Sequence, residues 1–265
     1  MTKFVGTKGE GGDHEQKHVG DDYFLTSGDK VRFFFEPAAF DPVTGRLNRP
    51  KEESVNKIGH GLAVRDRVFK EFTFSDKLKQ LAVELEFHRD PRVLQSMVIC
   101  KNARVGGEVT SHDDSTFLFT DPPSAIGFWF ALEDSTTENG CLSFVPGSHK
   151  LNKVDKRLVR VPGGGTELVK VEGVEPCGID WDDERPGVEW LTAECRAGDL
   201  VLIHGTVVHR SERNLSDKSR FIYTFHCVES SREGVEWDEK NWLQTPGKEF
   251  PSLLRTDPNE PVEEE

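Results

Sequence analysis

The sequence predicts a mainly β fold, a β-sandwich or jelly roll, preceded by a helical segment. Two patterns carry this expectation. From Arg92 onward, apolar residues come in short runs separated by Gly, Pro, Asn and Asp, the signature of short strands joined by turns. Ahead of them, Leu78, Leu81, Ala82 and Leu85 recur at helical spacing behind Ser75, a residue type that caps helix N-termini. A length of 265 residues suits one large domain, because β-sandwiches and barrels often run past roughly 200 residues undivided.

In chain order, residues 1–20 are rich in Gly, Lys, Asp and His with almost no apolar content, which predicts a disordered arm. A single domain then occupies 21–265. Tyr23–Leu25 and Val31–Phe35 flank the turn residues Ser27, Gly28 and Asp29 and predict a hairpin. Strands are expected at Val93–Cys100, Ser115–Phe119, Ile126–Leu132, Cys141–Val145, Leu200–His209 and Phe221–Val228, a strand core over about 92–230. Residues 171–190, rich in Gly, Pro and acids, read as a surface loop.

Composition excludes several classes of function. Apolar residues make up 35% of the chain, far from the poverty that predicts disorder. No apolar run approaches the roughly 20 residues a membrane helix needs. With 34 basic against 47 acidic residues the formal charge is −13, which disfavours nucleic-acid phosphates as partners. The amino terminus has no apolar core of the secretory kind, and the ending EPVEEE is not a peroxisomal address. The cysteines, Cys100, Cys141, Cys177, Cys195 and Cys227, are scattered and odd in number, as expected of reduced thiols. A cytoplasmic, monomeric protein acting on a small molecule is the expectation.

Chemistry concentrates in a few residues. In His112-Asp113-Asp114, an extended backbone turns His112 and Asp114 to one face and Asp113 to the other. Imidazole plus carboxylate supplies two legs of a 2-His-1-carboxylate site, which leaves open positions on iron(II). A third leg stands about 95 residues downstream, where alternation along a strand from Leu200 to Ser211 puts His209 and Ser211 on a common face. After the polar turn 213–218 the chain returns, placing Arg220 on the next strand, level with His209. A guanidinium fork there suits a dicarboxylate whose other end chelates the metal. Singly, each of these is as well explained by a solvated loop histidine, an edge-strand histidine or a surface cation. Their combination favours a site.

These residues, with Trp129, the run NGCLSFVPGSH at 139–149 and LIHGTVVHRSERNLSDKSR at 202–220, resemble the phytanoyl-CoA dioxygenase family of iron(II)/2-oxoglutarate oxygenases. DYFLTSGDKVRFFFE at 22–36 and SVNKIGHGL at 54–62 extend the resemblance, which covers roughly 21–245. It implies a double-stranded β-helix, the cupin-like jelly roll, with flanking helices. It further implies iron ligands His112, Asp114 and His209, and 2-oxoglutarate contacts from Lys57, Met97, His112, Asp114, Trp129, Ser211 and Arg220. Lys57 and Arg220 would offset the dianion's charge, while Met97 and Trp129 would wall the site against water. Fe(2+) is the implied cofactor, 2-oxoglutarate the co-substrate, and ascorbate a stimulant.

The implied reaction is conversion of 2-oxoglutarate and O2 to succinate and CO2, coupled to hydroxylation of an unidentified substrate. The competing expectation is a metal- and 2-oxoglutarate-binding barrel without catalysis, acting as scaffold or sensor. Acyl-CoA in peroxisomes is disfavoured by the absent address and by the acidic charge. Gly147-Ser148-His149 is expected to form a tight turn. Lys150, Lys153, Lys156, Arg157 and Arg160 are expected to form either an entrance for an anion or a solvated face at helical spacing. Family members usually carry a longer amino-terminal stretch packed on the barrel, so an uncovered barrel edge, and turnover poorly coupled to hydroxylation, are also expected.

Overall fold

The computed structural model describes residues 21–181, 188–245 and 249–255, so the arm expected over 1–20 lies outside the described residues. The chain begins with α1 (Asp22–Leu25), β1 (Val31–Phe35) and β2 (Val55–His60). Three helices follow, α2 (Leu62–Arg65), α3 (Arg67–Thr73) and α4 (Asp76–Glu84). Then come β3 (Pro91–Lys101), β4 (Val109–His112), α5 (Asp114–Phe117), β5 (Thr120–Asp121), β6 (Ile126–Ala131), β7 (Leu142–Phe144) and α6 (Ser148–Leu151). The last part holds β8 (Lys156–Arg160), β9 (Thr166–Lys170), β10 (Leu191–Ala193), β11 (Leu200–His204), β12 (His209–Ser211), β13 (Arg220–Glu229) and β14 (Glu236–Trp237).

Two antiparallel sheets face one another. The major sheet has the order β1-β2-β3-β13-β6-β11 and the minor sheet β10-β7-β12-β4. Alternation along the major sheet separates its two faces. Val98, Cys100, Phe128, Phe130, Tyr223 and Phe225 pack outward against Leu62, Leu78 and Ala82 of the helices. Trp129, Ala131, Ile203 and Ile222 point the other way and meet Leu142 of the minor sheet. The sheet is thus buried on both faces, and its strands read as continuous apolar runs with no hydrophobic–polar alternation. This is the cupin-like jelly roll with helices on one flank.

Four expected elements are corrected. Tyr23–Leu25 belongs to α1, because the Asp21 side chain accepts from the Phe24 amide and opens a helical turn where a hairpin strand was expected. Ser115–Phe119 is largely α5, because Asp113 caps it by accepting from the Thr116 amide at 2.8 Å. The run Leu200–His209 is two strands, β11 and β12, which lie in different sheets. Lys156–Arg160 forms β8, paired with β9, and does not keep helical spacing. The helix at Ser75 stands as expected, although α4 starts without a side-chain cap, and residues 171–181 and 188–190 carry no helix or strand.

On the helical side, Phe128 and Phe225 stack with centroids 4.7 Å apart and planes within 6°. Phe225 is fully buried. Phe225→Ala should therefore lower unfolding free energy by about 3–5 kcal/mol, as for large-to-small changes in packed cores. Val43→Ala, at a site 90% exposed, should leave it unchanged. Equilibrium urea denaturation checks both.

Candidate metal centre

The centre is assembled across the minor sheet and the connection that follows it. β4 pairs with β12 so that His112 and His209 are direct cross-strand partners, and their rings lie 4.3 Å apart. The Nδ1 of His112 sits 2.8 Å from the Thr110 carbonyl, and the Nδ1 of His209 sits 3.0 Å from the Val207 carbonyl. A carbonyl only accepts, so each Nδ1 carries the proton and each Nε2 presents a lone pair. Both rings are therefore oriented by the backbone two residues upstream so that Nε2 is free to accept a metal.

Asp114 reaches the same point by a different route from the one expected. His112 ends β4, and Asp114 opens α5, so the two do not share a strand face. The helical turn directs Asp114 inward while Asp113 stays behind as its cap, accepting from Thr116 and from Asn152 Nδ2 at 3.1 Å. The Ser115 amide donates to the Gly205 carbonyl at 2.9 Å, anchoring α5 to the β11–β12 crossover. A Cβ at Gly205 would fall 2.4 Å from the Ala125 carbonyl oxygen, so this approach requires glycine. Asp114 Oδ1 lies 3.8 Å from Nε2 of both His112 and His209, and the three donor atoms all lie within 4.8 Å of one another.

The electrostatics fit a cation. Burial, with His209 beside it, pushes His112 down to about 4, so the ring is neutral and available at physiological pH. Burial acts to raise the Asp114 carboxyl, but His226, His209 and His112 outweigh it and hold the group well below the usual carboxylate range. Asp114 Oδ2 is buried without a hydrogen bond among the described residues and lies 3.3 Å from His226 Nε2, which leaves Oδ1 as the oxygen facing His112 and His209.

The remaining candidates lie between the sheets. Arg220 opens β13 in the major sheet, so it is not the hairpin neighbour of His209; the turn after β12 carries the chain from one sheet to the other. Its guanidinium nevertheless faces the interior, 2% exposed, 5.7 Å from the Trp129 ring, with Nη2 donating to the Gly140 carbonyl at 2.8 Å. Its Nε is buried and unbonded among the described residues. Met97 and Trp129 both pair with Thr224, on the interior face, and Ser211 is buried at the end of β12. Lys57 is buried on β2, where burial pushes its ammonium down to about 7; its Nζ lies 5.8 Å from the Phe34 ring, and it lowers its neighbour His60 further.

In the basic cluster Lys150, Lys153 and Lys156 are exposed, while the two arginines are engaged in packing. Arg157 pairs with Asp238 at 2.5 Å, and Arg160 donates to the carbonyls of Trp242 and Leu25. His149 lies in α6, its ring 5.2 Å from His204. Two interior residues escaped sequence reasoning. His226 on β13 places Nε2 3.3 Å from Asp114 Oδ2, too poorly aligned for a hydrogen bond, and Gly127 opposite leaves room for its ring. Lys101 ends β3. Alternation from Met97 through Ile99 marks Lys101 as interior, and that is the signal that could have found it.

Residues 13–222 match the family profile described as Phytanoyl-CoA dioxygenase (PhyH). The chain belongs to the phytanoyl-CoA dioxygenase family. It is 48% identical over 244 residues to phytanoyl-CoA dioxygenase domain-containing protein 1 of Danio rerio, covering 91% of this chain and 80% of the relative. It is 44% identical over 232 residues to a phytanoyl-CoA dioxygenase of Arabidopsis thaliana, covering 86% and 75%. Among solved structures, the α-ketoglutarate-dependent epimerase SnoN of nogalamycin biosynthesis superposes with TM-score 0.54 at 19% identity, over 85% of this chain and 83% of that one. EctD from S. alaskensis with bound Fe gives 0.51 at 22%, over 82% and 69%. These likenesses show the oxygenase jelly roll. No helix among the described residues is long and apolar enough to cross a membrane.

Two outcomes follow from the site's surroundings. Unfolded, His112 takes up a proton near its ordinary value of 6.5, whereas folded it stays neutral until about 4. The folded state binds fewer protons across that window, so metal-free protein should lose stability as pH falls from 6.5 towards 4. His60, also buried and lowered, acts in the same direction. Urea midpoints in chelator should be lower at about pH 5 than at pH 7, with His112→Gln shrinking the drop; equal midpoints would contradict the assignment. Asp113→Ala removes the α5 cap, so it should cost about 1 kcal/mol and loosen metal binding severalfold by calorimetry.

Proposed function

We propose that this member of the family is an iron(II)- and 2-oxoglutarate-dependent dioxygenase that oxidises a small-molecule substrate. The observation that carries the proposal is the convergence of His112, Asp114 and His209 beside a buried guanidinium with an unbonded Nε. When bound, iron(II) with O2 supplies oxidative decarboxylation of 2-oxoglutarate to succinate and CO2, together with oxidation of the second substrate.

The chain's own residues supply the rest. His112 and His209 donate Nε2, held by their backbone-bonded Nδ1 atoms. Asp114 would offer Oδ1 to the cation and offset part of its charge. Arg220 binds the distal carboxylate of 2-oxoglutarate, where burial between the sheets makes a charge-assisted contact strong. Trp129 lies against that guanidinium and, with Met97, excludes water. Ser211 offers a hydroxyl at the same end, and Lys57 adds positive charge from β2. Its acidic surface, and the engagement of Arg157 and Arg160 in packing, count against a polyanionic CoA ester as the substrate.

Purified protein given iron(II), 2-oxoglutarate and O2 should form succinate, and His112→Ala should abolish that signal. Arg220→Ala should raise the 2-oxoglutarate requirement sharply, because losing a buried charged partner of this kind costs on the order of 2–5 kcal/mol. Normal turnover in His112→Ala would overturn the metal assignment. Tight 2-oxoglutarate binding without succinate would favour a sensor over an enzyme.

A further inference from the structure

Lys101 is among the most deeply buried side chains of the chain, 1% exposed, and it is the direct cross-strand partner of Arg220. Two cations paired across a ladder inside a protein repel one another and lose hydration, an arrangement that is costly without a counter-charge. Neither makes an ion pair with a carboxylate among the described residues. Lys101 Nζ instead donates to two main-chain carbonyls, those of Ser211, at 3.2 Å, and Glu212. Arg220 donates to the Gly140 carbonyl. Glu36, Glu212 and Glu108 act on Lys101 only through space, against the larger effect of burial and of Arg220.

The geometry around these donors is tight. Gly140 adopts φ +83°, and a Cβ there would lie 2.4 Å from the Glu212 carbonyl oxygen and 3.2 Å from Lys101 Nζ. Lys101 thus reaches from the end of β3 in the major sheet to the end of β12 in the minor one. It holds the backbone that carries Ser211 beside the loop whose carbonyl orients Arg220. A ligand bringing two negative charges would relieve the repulsion; a ligand bringing one, at the metal end, would not.

We infer that Lys101 is a specificity-determining positioning residue: it fixes Ser211 and Arg220 around the distal carboxylate and selects dicarboxylate 2-oxo acids over monocarboxylate ones. This rests on the proposed co-substrate reading, in which Arg220 meets that carboxylate.

The test uses full-length protein loaded with Mn(II) under argon, titrated calorimetrically with 2-oxoglutarate and with 2-oxobutanoate, which shares the chelating end and lacks the distal carboxylate. Wild type should prefer 2-oxoglutarate strongly. Lys101→Met should weaken 2-oxoglutarate about tenfold or more, change 2-oxobutanoate less than about threefold, and leave Mn(II) affinity within about threefold. Lys101→Gln, which removes the charge and keeps only a shorter amide donor in place of the contacts to Ser211 and Glu212, is the second variant should Lys101→Met not fold, and the same loss of preference is expected from it. Equal weakening of both acids would show a merely structural role, and an unchanged preference would exclude Lys101 from the pocket; either overturns the inference. A wild type without preference would instead overturn the co-substrate reading itself.

Discussion

Between its sheets the chain buries Lys57, Lys101 and Arg220, and with them an aspartate among three imidazoles, and the cost of desolvating those groups constrains everything around them. A purely apolar sandwich would be cheaper to fold, since replacing buried charges with packed hydrophobics is often neutral or stabilising. The arrangement persists because main-chain carbonyls take up most of the donors: Thr110 and Val207 for the histidines, Gly140, Ser211 and Glu212 for the cations. Backbone oxygens solvate without neutralising. They leave net charge in place for a metal and an anion to meet.

That solution divides the labour between the sheets. The major sheet is long and apolar on its helical side, where Phe128, Phe130, Tyr223 and Phe225 pack on α2 and α4 and supply stability. Its inner side carries Lys57, Met97, Lys101, Trp129 and Arg220. The minor sheet is short, three or four residues per strand, yet it holds both candidate histidines on paired strands. Small strands suffice because β4 and β12 are fixed by what they adjoin, α5 through Gly205 at one end and Lys101 at the other.

Much of this was legible in the sequence, and the failures share a cause. The strands Val93–Cys100, Ile126–Leu132, Cys141–Val145 and Phe221–Val228 were visible because runs with that apolar density pack in a sheet covered on both sides. The triad was visible because H-x-D and a distant histidine are rare in combination. Its geometry was not: His112 and Asp114 converge through a capped helical turn, and alternation along a strand was the wrong physical reason for their proximity. Nor was the break at Gly205, since apolar residues flank His204-Gly205-Thr206 on both sides and a glycine there fits a bulge in one long strand as well as a crossover between two sheets. His226 and Lys101 lie inside apolar strand runs, where a single polar residue is as easily an edge or an end; alternation from Met97 and Ile99 points Lys101 inward, whereas His226 is revealed by its partner Gly127 across the sheet.

Asp113 and Asp114 show how closely the second layer is tied to the first. They are adjacent carboxylates, yet burial raises Asp113 while the imidazoles lower Asp114. The difference comes from their partners. Asp113 bonds Thr116 and Asn152, and Asn152 in turn donates to the Thr206 carbonyl and accepts from Trp181 at 3.3 Å. Thr206 lies on the same crossover as Gly205, which receives the Ser115 amide. On the other strand, Arg210 stands between His209 and Ser211 and meets the Trp190 ring at 4.1 Å. Trp181 therefore bonds a residue that joins the α5 cap to the crossover, and Trp190 packs on β12. Trp181 and Trp190 thus add large apolar side chains beside the short strands of the minor sheet, next to the groups that support the candidate metal centre.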